Sequence, residues 1–328
     1  MRKRRLALRE PIRAAWGTLS ERVILEVELT GSDGVTGRGE AAPLEPYDGV
    51  PLEACRAALA LYAEVLAVRD YARGGELLDA CRAVADLPQA LAAVDLALWD
   101  RGGRREGVPV AHLLTDDPLD RVPVNATIGA LDRAGAAEAA ARAAAEGYPC
   151  VKVKVGAGDD GGRVAAVRAA AGPGMALRLD ANGAWTVEEA VRWIEVLSPA
   201  GLELVEEPTR GVAAIRAVRD RVAVRVALDE SAAEPGALAA GVADAICLKV
   251  SRCGGISGLL AQAALARAMG TEVYVASTYD GPLGIAAAVH AAAALRVGLP
   301  CGLATLADAG PLEPRDGAIV VPAGGGLL

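Results

Sequence analysis

The sequence predicts an α/β fold, a (β/α) barrel of the TIM type carrying a separate α+β unit at its N-terminal end. Three observations predict it. From residue 122 onward, short Val- and Leu-rich segments alternate with Ala-rich helical segments at intervals of roughly 20 to 28 residues, the rhythm of strand–loop–helix units. Acidic residues close three successive candidate strands: Asp180, Glu206 and Asp229. Before residue 122 the rhythm differs, so the first third belongs to another unit. A doubly wound open sheet shows the same alternation, and a strand count alone does not separate the two.

In chain order, residues 23–29 (VILEVEL) alternate like an antiparallel strand, and TGSDGVTGRGE supplies a Gly-rich turn and the start of a second. Residues 51–68 and 76–101 carry apolar residues at helical spacing, most clearly in LPQALAAVDLALWD. The candidate barrel strands are VPVNATI (122–128), CVKVKV (150–155), ALRLD (176–180), LELVE (202–206), VRVALD (224–229), AICLKV (245–250), EVYVAS (272–277) and LPCGLAT (299–305). Residues 306–328, Gly- and Pro-rich around AIVV, read as a segment returning to the first unit. The expected organisation is an α+β capping domain over 1–121, a catalytic barrel over 122–305 and that returning segment.

Composition removes several function classes. The 328 residues are 53% apolar with no Phe, three Met, four Trp and six Tyr, an aliphatic core suited to Ala-rich helices on a sheet. A net charge of −8 offers nothing to a polyanion, so nucleic acid is not an expected partner. MRKRR is followed by LALREPIR and not by an apolar signal core, and no apolar run reaches the ~18 residues of a membrane helix. The expectation is a cytoplasmic protein acting on a small carboxylate, with a homo-oligomer left open. Six scattered cysteines without a C-x-x-C pair read as reduced thiols rather than zinc ligands. Only His112 and His290 are present, too few for chemistry that needs several histidines.

Two chemistries compete for the stretch PCVKVKVGAGDDGG. Gly156, Gly158 and Gly161 spell G-x-G-x-x-G after a strand, and Asp180 follows where a dinucleotide site places an acid for the ribose. That reading leaves Glu206, Asp229 and two lysines unexplained and sets Asp159 and Asp160 beside a pyrophosphate. In a barrel the C-terminal strand ends meet on one rim, so Asp180, Glu206 and Asp229 converge there. Converging carboxylates call for a cation, and oxygen donors favour a hard divalent ion, Mg²⁺ with Mn²⁺ as substitute. Lys152 and Lys154 alternate with valines, which puts both ammonium groups on one face of the strand. Lys249 closes the sixth strand, across the barrel. Two lysines on opposite faces of a metal-held carboxylate are placed to move a proton at the adjacent carbon while the cation stabilises the enediolate. Burial and neighbouring positive charge are expected to depress a lysine towards the working pH.

These motifs together, KVK (152–154), DANGAW (180–185), VEEP (205–208), ALDES (227–231) and LKV (248–250), resemble the enolase superfamily and, within it, the muconate-lactonizing subgroup. The resemblance spans nearly the whole chain. It implies a modified (β/α)7β barrel, with Asp180, Glu206 and Asp229 as Mg²⁺ ligands, Lys154 as one acid/base and Lys249 on the opposite face. Lys152 contacts the substrate carboxylate; Glu207, Asn182 and Glu230 support the ligands; Asn182, Ser277 and Gly302 are the further candidate substrate contacts.

Specificity rests on thinner cues. VPVNAT and CGLATL (301–306) resemble actinobacterial-type o-succinylbenzoate synthases, which dehydrate 2-succinyl-6-hydroxy-2,4-cyclohexadiene-1-carboxylate in menaquinone biosynthesis. Dipeptide epimerases of the subgroup carry a D-x-D pair where this chain has Cys301-Gly302-Leu303. In a synthase Lys154 removes the ring proton and returns it to the departing hydroxyl, while Lys249 stays charged. The alternatives are a racemase or epimerase of N-acylamino acids or dipeptides, or a muconate-type cycloisomerase, on the same site. A Schiff-base lyase or a non-catalytic binding protein would be of another class; the latter predicts gaps in the ligand set. The helix start in STYDGPLG is expected to hold a second carboxylate through its N–H groups. Arg13 and Arg22, the first and last residues of the candidate lid RAAWGTLSER (13–22), are further candidates for that charge, and Asp280 is expected to cap the helix rather than face substrate.

Overall fold

Alternating residues build the first sheet, in which β1 (Arg2–Ala14), β2 (Gly17–Thr30) and β3 (Thr36–Ala41) pair antiparallel in that order. The computed structural model describes residues 1–14, 17–69, 72–156 and 158–328, and the side chains of residues 9–14, 17 and 18 lie outside the description, that of Arg13 and most of the candidate lid among them. Helices α1 (Glu45–Asp48), α2 (Leu52–Ala67), α3 (Gly74–Val84), α4 (Pro88–Glu106) and α5 (Val110–Leu114) follow. The helical stretch expected over 76–101 is two helices, because Pro88 has no N–H to continue the first and stands in the opening turn of the second. α4 lies on β3 so closely that a Cβ at Gly39 would stand 2.0 Å from the Ala93 carbonyl oxygen. Glycine is what permits that approach.

The second unit repeats strand and helix. β4 (Arg121–Pro123) leads to β5 (Asn125–Ile128), and the parallel ring continues through β6 (Cys150–Lys154), β7 (Ala176–Asp180), β8 (Leu202–Glu206), β9 (Arg225–Leu228), β10 (Ala245–Lys249) and β11 (Glu272–Ala276). Between them lie α6 (Arg133–Ala145), α7 (Asp160–Ala171), α8 (Val187–Leu197), α9 (Val212–Arg219), α10 (Val250–Cys253) and α11 (Ile256–Ala268), and α12 (Pro282–Ala294) follows β11. Two expectations change in detail. The strand expected over 122–128 is split: β4 pairs antiparallel with β12 (Ala318–Val320), and β5 alone joins the ring. The strand expected over 299–305 contracts to bridges at Cys301 and Gly302, since Pro300 cannot donate to a ladder. Those two residues still close the ring: Asn125 N–H donates to the Cys301 carbonyl at 3.0 Å, and Gly302 N–H to the Val275 carbonyl at 2.9 Å.

Period-two alternation sorts the barrel's residues. Val151, Val153, Leu177, Leu179, Val205 and Val226 face the helices in one continuous core, while Leu204, Ala227, Ala245, Cys247 and Tyr274 fill the interior. The glycine-rich connection after β6 holds this chain's own carboxylates: Gly156 N–H donates to Asp160 Oδ2 at 2.8 Å and Gly162 N–H to Asp159 Oδ1 at 3.2 Å. A pyrophosphate would meet both acids there, which removes the dinucleotide reading. Among the described residues, no helix is long and apolar enough to cross a membrane.

His290, fully buried in α12, ties the chain's end to this core. Its Nδ1 accepts from Ala111 N–H at 3.1 Å, so Nε2 carries the proton and donates to the Leu327 carbonyl at 3.1 Å. Protonating Nδ1 would set two N–H groups against each other, and burial holds the imidazole down at about 4. Below the unfolded value of about 6.5 the unfolded chain binds a proton that the native chain refuses, so the contribution of His290 to native stability falls between pH ~6.5 and ~4. From pH 7 to pH 5 this costs about 2 kcal/mol. Urea melts at both pH values should show the stability of the wild type relative to a folded His290→Gln variant falling by about that amount from pH 7 to pH 5.

Candidate active site

Strand register fixes the site. Lys154 on β6, Asp180 on β7 and Glu206 on β8 are direct neighbours across the sheet, and Asp229 follows β9 immediately. Inward alternation on β6 turns Lys152 and Lys154 into the barrel, as the sequence predicts. Lys249 closes β10, with three strands between it and β6. Asp180 and Glu206 are fully buried, and Asp229 and Lys249 nearly so.

Ammonium and carboxylate groups neutralise one another in this layer. Lys154 Nζ donates to Asp180 Oδ2 at 2.6 Å and to Asn182 Oδ1 at 2.8 Å. Lys152 Nζ lies 3.1 Å from both Asp180 Oδ2 and Glu206 Oε1. Lys249 Nζ donates to Asp229 Oδ1 and, at 2.7 Å, to the Tyr47 hydroxyl, which itself donates to Asp229 Oδ1 at 2.9 Å. The expected depression of the lysines is therefore overturned: burial does push Lys152, Lys154 and Lys249 down, but the adjacent carboxylates outweigh it and hold all three above their ordinary value. The acids divide accordingly. Burial raises each, yet Asp180, facing Lys154 and Lys152, ends below the usual carboxylate range, whereas Glu206, with Lys152 set against Asp180 and Asp229, ends above it.

The three carboxylates stand at adjacent strand ends, but the donor atoms gathered within 4.8 Å of one another belong to Glu206, Asp229 and Cys247; Asp180 is turned to the lysines. Burial drives the Cys247 thiol upward, so it remains a neutral thiol and a poor ligand for a hard cation. The oxygen donors fit such an ion. Behind them, Glu207 accepts from the N–H groups of Asp229 (2.8 Å) and Ser231 (3.0 Å) and fixes the loop after β9. Asn182 donates to Glu230 Oε1 at 2.9 Å, and Glu230 Oε2 is buried without a partner among the described residues. Asn182, Glu207 and Tyr279 adopt left-handed backbone angles, φ 47°, 40° and 58°, just beyond β7, β8 and β11. Each costs about 1 kcal/mol or more, and such strain collects where side chains must be aimed.

Several participants carry no local signal in the sequence. Tyr47, from the short helix α1 after β3, reaches Lys249 across 202 residues, and Arg252 Nη1 donates to the same hydroxyl at 3.0 Å. Tyr274, inside β11, donates to Glu206 Oε2 at 2.7 Å; the buried Arg178 guanidinium lies 5.1 Å from its ring centroid.

Three sequence expectations are corrected here. The start of α12 holds no second carboxylate, because Glu40 of β3 fills it: its Oε1 accepts from Gly281 N–H at 2.6 Å and its Oε2 from Leu283 N–H at 3.2 Å. Arg22 is spent on the carbonyls of Tyr279, Pro43 and Ala42 at 2.8 to 3.1 Å and is buried, so it is not free for substrate. Asp280 does not cap α12; its buried carboxyl accepts from the Thr278 hydroxyl at 2.7 Å. Ser277 and Gly302 do line the cavity of about 60 Å³ over the three lysines, with Asn182.

Comparisons with known proteins agree with this architecture. Residues 1–115 match the family described as mandelate racemase / muconate lactonizing enzyme, N-terminal domain, and residues 135–327 match enolase C-terminal domain-like. The o-succinylbenzoate synthase of Thermobifida fusca (strain YX) is 42% identical over 218 residues, 62% of this chain and 67% of the relative. Muconate cycloisomerase 1 of Rhodococcus opacus is 33% identical over 342 residues, 97% and 91% of the two chains. The crystal structure of a dipeptide epimerase from Enterococcus faecalis V583, complexed with Mg and the dipeptide L-Leu-L-Tyr, superposes with a TM-score of 0.90 at 27% identity, covering 99% of this chain and 97% of that one. With both halves matched and the barrel rim built as that fold requires, the chain belongs to the enolase superfamily and is an enzyme of its lyase or isomerase kind.

Proposed function

We propose that this enzyme abstracts the proton alpha to a carboxylate in a Mg²⁺-dependent reaction, and that the reaction is syn-dehydration of 2-succinyl-6-hydroxy-2,4-cyclohexadiene-1-carboxylate to o-succinylbenzoate, in the cytoplasm. The observation that carries it is one cavity lined by Lys154, Lys249 and Asp229, with the two lysines on strands β6 and β10. Asp180, Glu206 and Asp229 would hold the cation. Bound there, Mg²⁺ supplies electrostatic stabilisation of the charge that develops on the substrate carboxylate.

The chain's own residues do the rest. Lys152 faces the same cavity and binds the substrate carboxylate. Lys154 takes the proton as the C–H bond breaks, then gives it to the hydroxyl as the C–O bond breaks, and water leaves as the ring becomes aromatic. To start, Lys154 must be neutral, and the charge that keeps it protonated is that of Asp180, one of the carboxylates assigned to the cation. Lys249, clamped by Asp229 and Tyr47, stays an ammonium and presents positive charge from the other side.

Support for the synthase over a dipeptide epimerase comes from the T. fusca relative and from residue 302. A Cβ at Gly302 would stand 3.0 Å from Ala276 Cβ and 3.7 Å from Asn125 Oδ1, and its neighbours Cys301 and Leu303 are buried and uncharged. A substrate ammonium finds no acid there. Racemisation of N-acylamino acids uses the same two lysines and remains the second reading.

Lys154→Ala should lower both dehydration and α-deuterium exchange by at least 10²- to 10⁴-fold, the usual share of a general acid–base, with the circular dichroism spectrum unchanged. A near-normal rate would refute the assigned base. Excess EDTA should abolish turnover and Mg²⁺ restore it, whereas borohydride with substrate should leave no covalent adduct; trapped adduct would mark a Schiff-base enzyme instead.

A further inference from the structure

Two cavities meet at the barrel mouth. The inner one, about 60 Å³ over Lys152, Lys154 and Lys249, is the smaller by far. The outer one, about 540 Å³, has mixed walls, with Leu8, Ile128, Leu131 and Ala143 beside Arg142 and Glu146. Both are lined by Thr127, Lys154, Tyr279 and Thr305, so these four side chains form the neck between them. A substrate held over the lysines can send its second arm through that neck.

Tyr279 carries the one aromatic ring of the four, and its backbone is unusual. A bulky residue at φ 58° is a steric outlier. It is held from two sides: its N–H donates to Ser277 Oγ at 3.2 Å, and its carbonyl accepts from Arg22 Nε at 3.1 Å, a contact across 257 residues from the capping unit. Ser277 Oγ also lies 3.0 Å from Thr305 Oγ1, which joins Tyr279 to another member of the neck. Strained backbone that the surroundings over-determine marks a side chain whose aim matters.

We propose that Tyr279 is the specificity-determining residue of this site, its ring being the partition between the two cavities. It limits the substrate class to carboxylates with a compact second arm and refuses bulky apolar arms that the outer cavity would otherwise take. The proposal rests on the carbon-acid reading above.

The test compares α-deuterium exchange of N-succinylalanine and N-succinylphenylalanine, beside dehydration of the cyclohexadiene substrate, in the Mg²⁺-supplied wild type and in Tyr279→Ala, Tyr279→Gly and Tyr279→Phe. Glycine suits the left-handed backbone and covers the case in which alanine fails to fold. The kcat/KM ratio of the phenylalanine to the alanine substrate should rise by about tenfold or more in the Ala and Gly variants, the scale on which pocket volume discriminates, and stay within about twofold in the Phe variant, which keeps the ring. Active Ala or Gly variants with an unchanged ratio would overturn the partition alone. A wild type that neither exchanges nor dehydrates would overturn the carbon-acid reading, and the partition with it.

Discussion

The site depends on mutual neutralisation of buried charge. Asp180, Glu206 and Asp229 lie within a layer of the barrel that water hardly reaches, and each unpaired would carry a large desolvation penalty. Three lysines from β6 and β10 relieve it. The same pairing sets the chemistry, because an ammonium held by a carboxylate is an acid in waiting and becomes a base only when that carboxylate's charge is drawn elsewhere. Such a layer is poised for a divalent cation. It is also the arrangement in which loss of one partner strands the other, so these residues are coupled rather than additive.

The capping unit completes the layer from outside the barrel. Tyr47 reaches Lys249, while Arg22 and Glu40 fasten the loop and helix start after β11. Burial and the nearby Asp280 raise the Glu40 carboxyl to about 8, so it meets the α12 N–H groups as a largely neutral acceptor at neutral pH. The loop that carries Ser277 and Tyr279 thus takes its position from residues more than 230 positions away. An isolated barrel would keep its carboxylates and lose their frame.

The barrel and its charged rim were legible in the sequence because strand alternation and strand-end position are local signals. KVK on a Val-rich strand tells which way both lysines face, and acids at three successive strand ends tell that they share a rim. Where reasoning failed, the deciding contact was distant. Nothing near Arg22 says that three carbonyls, one of them Tyr279's, consume its guanidinium, and STYDGPLG does not reveal that Glu40 already fills its helix start. Tyr47 and Tyr274 were missed for the same reason: each acts through one hydroxyl delivered by the fold. The sign of the lysine shifts was misjudged because burial and like charge were weighed without the carboxylates at 2.6 to 3.1 Å.

That distribution of spent and free groups shapes recognition beyond the lysines. With Arg22 and Glu40 committed to holding the cap, the inner cavity presents Thr127, Ser277, Tyr279 and Thr305 around the lysines. Hydroxyls donate or accept as the ligand requires, whereas a guanidinium demands an anion. A rim of this kind can discriminate by shape and, on the proposed function, leaves charge recognition to the lysines. On that proposal the acid–base layer sets the kind of chemistry, and the neck above it decides which molecule arrives in position.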